Sequence, residues 1–160
     1  MPRVFVILLG VALAVPSAIA DDRAKLLGIW KLKSFVTEFQ ASGERRPLYG
    51  NNPLGYIIFT PEGRMMVVIT GEGRKPAQTN DERAALFTTM FAYTGMYRLE
   101  ADKFVTKVDV SWNEIWTGTD QVRFFKLDGD RLDIISAWAP SGAIPEKPIV
   151  RGVLSWERVK

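Results

Sequence analysis

Apolar and polar side chains alternate with a period of two over most of the chain, the signature of strands with one dry face. Trp30, Leu32, Ser34 and Val36 share one parity and Lys31 and Lys33 the other, which predicts a first strand from about Gly28 to Phe39. Gly55-Tyr56-Ile57-Ile58-Phe59-Thr60 and Met65-Met66-Val67-Val68-Ile69-Thr70 flank Pro61-Glu62-Gly63-Arg64. A proline early in a reversal and a glycine later make these two strands one hairpin. Both are apolar on both parities, so each needs a covered outer face or a partner. Tyr97 and Leu99 oppose Met96, Arg98 and Glu100; after the turn at Ala101-Asp102-Lys103, Phe104, Thr106, Val108 and Val110 oppose Lys107 and Asp109. Gln121 to Leu127 and Arg131 to Ala137 flank Asp128-Gly129, a strong hairpin signal, and Val150 to Val159 is the last strand.

One stretch departs from this period. Thr79-Asn80-Asp81-Glu82 fits a capping box, and Leu86 and Phe87 stand four residues before Met90 and Phe91. The spacing predicts one short helix, lying against the apolar hairpin or plugging a barrel end. The remaining segments, Arg45 to Pro53, Gly71 to Gln78, Ser111 to Gly118 and the stretch holding Pro140, Gly142, Pro145 and Pro148, read as loops. The fold class is therefore all-β: an antiparallel up-and-down barrel of about eight strands with one short α-helix. Such a barrel closes its first strand on its last, which brings Trp156 and Arg158 towards Trp30, with Gly28 allowing close approach of the backbone.

The first 20 residues do not share the pattern. Met1-Pro2-Arg3, an apolar run from Val4 to Val15 and Pro16-Ser17-Ala18-Ile19-Ala20 form a secretory signal peptide pattern with an A-x-A cleavage site near Ala20. The run is shorter than a bilayer span needs, so residues 21–160 are expected as one domain without an integral membrane segment, exported to the periplasm or outside the cell. Cysteine and histidine are both absent. Disulfides, thiolate nucleophiles, the usual metal ligands and a Ser-His-Asp triad are thereby excluded, and no metal or cofactor is expected. The net charge of +3 is spread evenly, with no basic run longer than Arg45-Arg46 or Arg74-Lys75, which argues against a nucleic-acid partner.

Five blocks carry a resemblance: Leu27-Gly28-Ile29-Trp30-Lys31-Leu32, Asn52 to Gly63, Tyr93-Thr94-Gly95-Met96-Tyr97, Gln121 to Leu132, and Trp156-Glu157-Arg158. In this order they cover most of the chain after the leader and resemble the lipocalin superfamily, more closely the bacterial and fungal lipocalin-like domain proteins. The resemblance implies a closed or nearly closed barrel with an internal cavity for a small apolar or amphipathic molecule. It implies structural closure by Gly28, Trp30 and Arg158. Histidines of the middle strands of some relatives have no counterpart here, which removes the basis for their chemistry.

Arg123 is the candidate that stands out. Phe125 and Leu127 are expected inside, and the two-residue period turns Arg123 and Gln121 inward with them. A guanidinium inside a small barrel needs a partner, and a ligand carboxylate is one. Glu38, or the Tyr93 and Tyr97 hydroxyls with water, are the alternatives. Tyr56, Tyr93 and Tyr97 are expected to line the interior, as ligand contacts or as core aromatics with hydroxyls at the rim. Trp112 and Trp116 offer a stacking platform at the mouth, or packing for a long loop. Asp128 and Asp130 belong to a turn, and Glu114 is a lone loop acid. No spacing suggests a nucleophile with its base, so no catalytic residue is assigned. The leading expectation is a barrel binding a small apolar or amphipathic molecule, carboxylate-bearing ones included; the others are a pocket enzyme of isomerase or cyclase type and a filled barrel acting as a protein-interaction module.

Overall fold

A computed structural model of the chain describes residues 23–141 and 144–160. The leader expected over residues 1–20, with its cleavage site, lies outside them, as does Gly142. After a helical turn at 23–26 come β1 (Gly28–Phe39), β2 (Arg45–Pro47), β3 (Leu54–Phe59), β4 (Arg64–Thr70), α1 (Asn80–Thr88), β5 (Met90–Glu100) and β6 (Lys103–Ser111). The rest is β7 (Asp120–Asp128), β8 (Arg131–Ser136), β9 (Ala139–Pro140) and β10 (Ile149–Arg158). Neighbours hydrogen-bond in the order β2-β1-β3-β4-β5-β6-β7-β8-β10-β9, and a further β1–β10 ladder closes an antiparallel barrel. Its eight walls are β1, β3 to β8 and β10. The short β2 and β9 continue the edges of β1 and β10 beyond it.

Closure places Trp30 opposite Arg158 and Leu32 opposite Trp156. The Arg158 guanidinium lies 4.0 Å from the Trp30 ring centroid and donates to the carbonyls of Leu27, at 2.8 Å, and of Lys25. Gly28 sits at φ +116, and a Cβ there would stand 3.3 Å from Arg158 Nη1. The Trp30 indole N–H donates to Leu26 O at 2.9 Å. Backbone, ring and guanidinium thus seal this end of the barrel.

Two bulges change which residues face inward. A register shift at Lys33, between Leu32 and Ser34, puts Phe35 into the core instead of Val36. The strict alternation expected for β1 therefore fails halfway along, and Glu38 turns to the outer face, where Arg151 and Arg45 hold it. On the β5–β6 ladder Thr94 faces Val110 and Gly95 faces Val108, so Asp109 is the extra residue. Val110, expected inside, is 62% exposed. A Cβ on Gly95 would lie 1.9 Å from Lys107 O, so this crossing needs glycine.

The helix has the expected capping box, with Thr79 Oγ1 accepting from Glu82 N and the Glu82 carboxylate accepting from Thr79 N. It ends at Thr88, and Met90 and Phe91 already belong to β5, so the anticipated i,i+4 pairs do not form. No residue of α1 is buried. Phe87, 6.1 Å from Trp112 between ring centroids, touches the mouth of the barrel, but the helix neither covers the hairpin nor plugs an end.

Candidate functional site

Pairing across β6–β7 sets Arg123 beside Phe104 and Gln121 beside Thr106, and Phe104 and Thr106 are fully buried in the barrel. Paired residues share a face, so Arg123 and Gln121 point inward with them. Arg123 donates to Val122 O at 2.8 Å and Gln121 Oε1 at 3.1 Å, and its guanidinium stands 5.9 Å from the ring centroids of both Tyr93 and Trp116. No carboxylate among the described residues lies within ion-pair distance of it. Glu38 is spent outside: its carboxylate accepts from Arg151 at 3.0 Å and from Arg45 at 3.1 Å. The bond to Arg151, with its charge, holds the Glu38 carboxyl below the usual carboxylate range.

Beside Arg123 the barrel keeps a void of about 20 Å³, lined by side chains that include Phe91, Tyr93, Phe104, Leu154 and Trp156. One water needs about 10–15 Å³, so the internal cavity that the resemblance implies is little more than a water site, and the interior is closer to the filled barrel that was the alternative. Aromatic edges fill the rest. Phe59 meets Tyr97 at 5.2 Å and Phe104 at 5.3 Å; Phe91 meets Tyr93 at 5.4 Å and Trp116 at 5.1 Å. A larger depression, of about 530 Å³, is an open groove on the outside where Lys33 pairs with Glu157 and Arg158 with Asp130. Lys33, Asp128, Asp130, Arg131 and Glu157 line it together with Trp156, which also borders the void beside Arg123.

Trp112 and Trp116 stand edge to face at 5.1 Å, and Trp112 is 5.5 Å from Phe91. The 3-10 turn Glu114–Trp116 carries Trp116 over the mouth, with Asn113 Oδ1 accepting from Ile115 N. The two tryptophans form a packed plug rather than an open platform. Tyr93 and Tyr97 are buried in the core. Burial pushes the Tyr93 hydroxyl up, an effect the neighbouring Arg123 partly offsets, and pushes Tyr97 up likewise, so both remain protonated at neutral pH. Tyr56 does not join them. It is 48% exposed on the outer wall, because Ile57 and Phe59 take the inward positions of β3.

Several polar atoms inside have no partner. Tyr97 Oη, Thr106 Oγ1 and Trp156 Nε1 are buried without a hydrogen bond, and Tyr97 is paired with Thr106 in the ladder. Sequence reasoning placed Trp156 only at the closure and gave Thr106 no role. Phe91 was masked by its apparent helical spacing, though its place one step before Tyr93 in an alternating run was a usable signal. Among the described residues no group of three or more acidic or metal-ligating side chains could hold a metal ion, and no helix is long and apolar enough to cross a membrane. The interior therefore offers a cation, phenols, a threonine hydroxyl and an indole N–H: chemistry for gripping an acceptor.

The outer wall is unusual in another way. Ile29, Ile58, Met66, Thr94 and Val110 form one hydrogen-bonded row across β1, β3, β4, β5 and β6, and Tyr56, Val68 and Ala92 form the next. Met66, Val68 and Ile29 are exposed there, and the ionic groups in and beside these rows are Lys31 and the pairs Arg64–Asp109, at 2.8 Å, and Lys107–Asp120, at 3.8 Å.

Two comparisons bear on the whole chain. The family model described as a lipocalin-like domain matches residues 27–159. No match was found among curated proteins.

Proposed function

The chain belongs to the lipocalin-like domain family, and on that premise we propose that it is an exported barrel which takes a small amphipathic molecule, carboxylate first, at Arg123. The observation that carries this reading is the inward guanidinium without a protein carboxylate. Arg123 is half-buried, and a charge partly withdrawn from water gains from an opposite charge, which a carboxylate brings with geometry matched to a guanidinium. Three aromatic rings, Phe91, Tyr93 and Trp116, stand next to it for an apolar tail. The void is too small for that tail, so binding displaces the Trp112–Trp116 plug, which is held at the mouth by ring contacts and one short turn. Export, with residues 1–20 removed, delivers the barrel to the periplasm or the medium.

Calorimetric titration of octanoate and methyl octanoate against the protein and Arg123→Met tests this. Methionine keeps the length and apolar stem, so the barrel stays folded. Octanoate binding falls by about 2 to 5 kcal/mol in the variant while the ester is unaffected. Equal losses for acid and ester return Arg123 to a structural role.

A second reading rests on the outer wall: the apolar rows on β1 to β6 are a protein-binding surface, with a second copy of the chain as its occupant. Two arguments favour a copy. The wall is close to neutral, so like faces do not repel, and it lacks the basic rim that an anionic membrane surface would call for. Its exposed apolar area, roughly 600 Å² by the sizes of the side chains, reaches the roughly 500 Å² per partner of the smallest specific interfaces.

A further inference from the structure

Beside Arg123, a second residue in the lining of the void carries a donor without an acceptor. Trp156 is 1% exposed and lines the void, yet its Nε1–H is unpaired, whereas the equivalent group of Trp30 is anchored on Leu26 O. An indole N–H can only donate, and a buried donor left without an acceptor is a cost that a fold rarely carries without compensation. The other side chains around the void are apolar apart from Arg123 and Tyr93, whose hydroxyl stays protonated. A space of about 20 Å³ holds one or two oxygen atoms, and Arg123 and Trp156 both border it.

We propose that Trp156 is the second contact of the ligand headgroup: one oxygen is shared between the Arg123 guanidinium and the Trp156 indole N–H. The inference rests on the reading of Arg123 above and sharpens it. A headgroup that only accepts, such as a carboxylate, satisfies both donors; an alcohol or ammonium brings hydrogens of its own into a donor-lined void. The two residues divide the work. Arg123 reads charge, and Trp156 reads the presence of an acceptor oxygen whether charged or not.

That division sets the experiment. Trp156→Phe removes the N–H and leaves an aromatic ring, so octanoate and methyl octanoate both lose about tenfold in affinity, since both present a carbonyl oxygen. Arg123→Met affects octanoate alone. In protein carrying ¹⁵N-labelled tryptophan, the Trp156 indole cross-peak, identified by its loss in Trp156→Phe, moves downfield as octanoate saturates the site. If Trp156→Phe does not fold, the wild-type peak, assigned through its contacts with neighbouring side chains, decides. A peak that stays in place at saturation, or a folded Trp156→Phe protein that binds octanoate as tightly as wild type, overturns the role of Trp156 and leaves that of Arg123 standing. Absence of octanoate binding to the wild-type protein overturns both.

Discussion

Removing Arg158 unfastens the barrel at its seam. Its guanidinium does three things at once: it stacks at 4.0 Å on Trp30, donates to two carbonyls of the entering chain, and pairs with Asp130 at 3.4 Å. The stack contributes about 0.5–2 kcal/mol. The hydrogen bonds add about 1–2 kcal/mol rather than their full value, because the freed carbonyls lie at a barrel end where water can replace the donor. The Asp130 pair adds about nothing, since that carboxylate is more than half exposed. Arg158→Ala should therefore cost about 2–3 kcal/mol, a fall in Tm of roughly 6–12 °C for a domain of this size. Trp30→Ala should cost more, about 3–5 kcal/mol, because it also leaves a hole in a fully buried position. The two effects are coupled: the double variant should be about 1 kcal/mol less damaged than the sum. Urea unfolding followed by circular dichroism measures all four corners of the cycle. A loss below about 0.5 kcal/mol for Arg158→Ala, or additivity of the pair, would refute the argument that the seam is held by this contact.

Three further outcomes are expected. Gly95→Ala puts a methyl into Lys107 O and should prevent folding or cost upwards of about 3 kcal/mol, read as loss of the cooperative melt; a wild-type melt would show that the β5–β6 crossing is looser than described. The Glu38 carboxyl is held down by Arg151 and Arg45, so its contribution is present above the ordinary carboxylate value of 4.5 and is lost as pH falls through the lower folded value; Glu38→Gln should flatten the acid limb of stability below about pH 4, and an unchanged limb would contradict that. Met66 lies near the centre of the outer apolar row, so sedimentation velocity should find dimers of wild type and monomers of Met66→Lys with the same melt. A monomeric wild type, or one that floats with neutral lipid vesicles, would exclude the second copy as the occupant.

Much of the architecture was legible because it depends on local signals. The Pro61-Glu62-Gly63-Arg64 and Asp128-Gly129 reversals and the Thr79–Glu82 capping box are written in residues a few positions apart, and the pairing of the first strand with the last follows from closing the barrel. What failed were statements that need a continuous parity. A single bulge at Lys33 reverses every position after it, so Phe35 rather than Val36 enters the core and Glu38 leaves it; the extra residue at Asp109 does the same to Val110. Tyr56 was ambiguous at the source, since Gly55 to Phe59 is apolar on both parities and pattern alone cannot say which side is inside. The internal volume was not legible either. It depends on how the rings of Phe35, Phe59, Phe91, Tyr97 and Phe104 mesh across the barrel, a property of three-dimensional packing with no trace in spacing. The inward orientation of Arg123 was legible because the parity of β7 runs unbroken from Gln121 to Leu127.

Native mass spectrometry of the protein purified from its own host tests most directly whether the barrel carries a small molecule at Arg123. The folded protein should show a mass excess that disappears on denaturation, and the released species should be an amphipathic acid whose occupancy collapses in Arg123→Met. A bare polypeptide mass in both proteins, or an adduct indifferent to the substitution, would contradict the account.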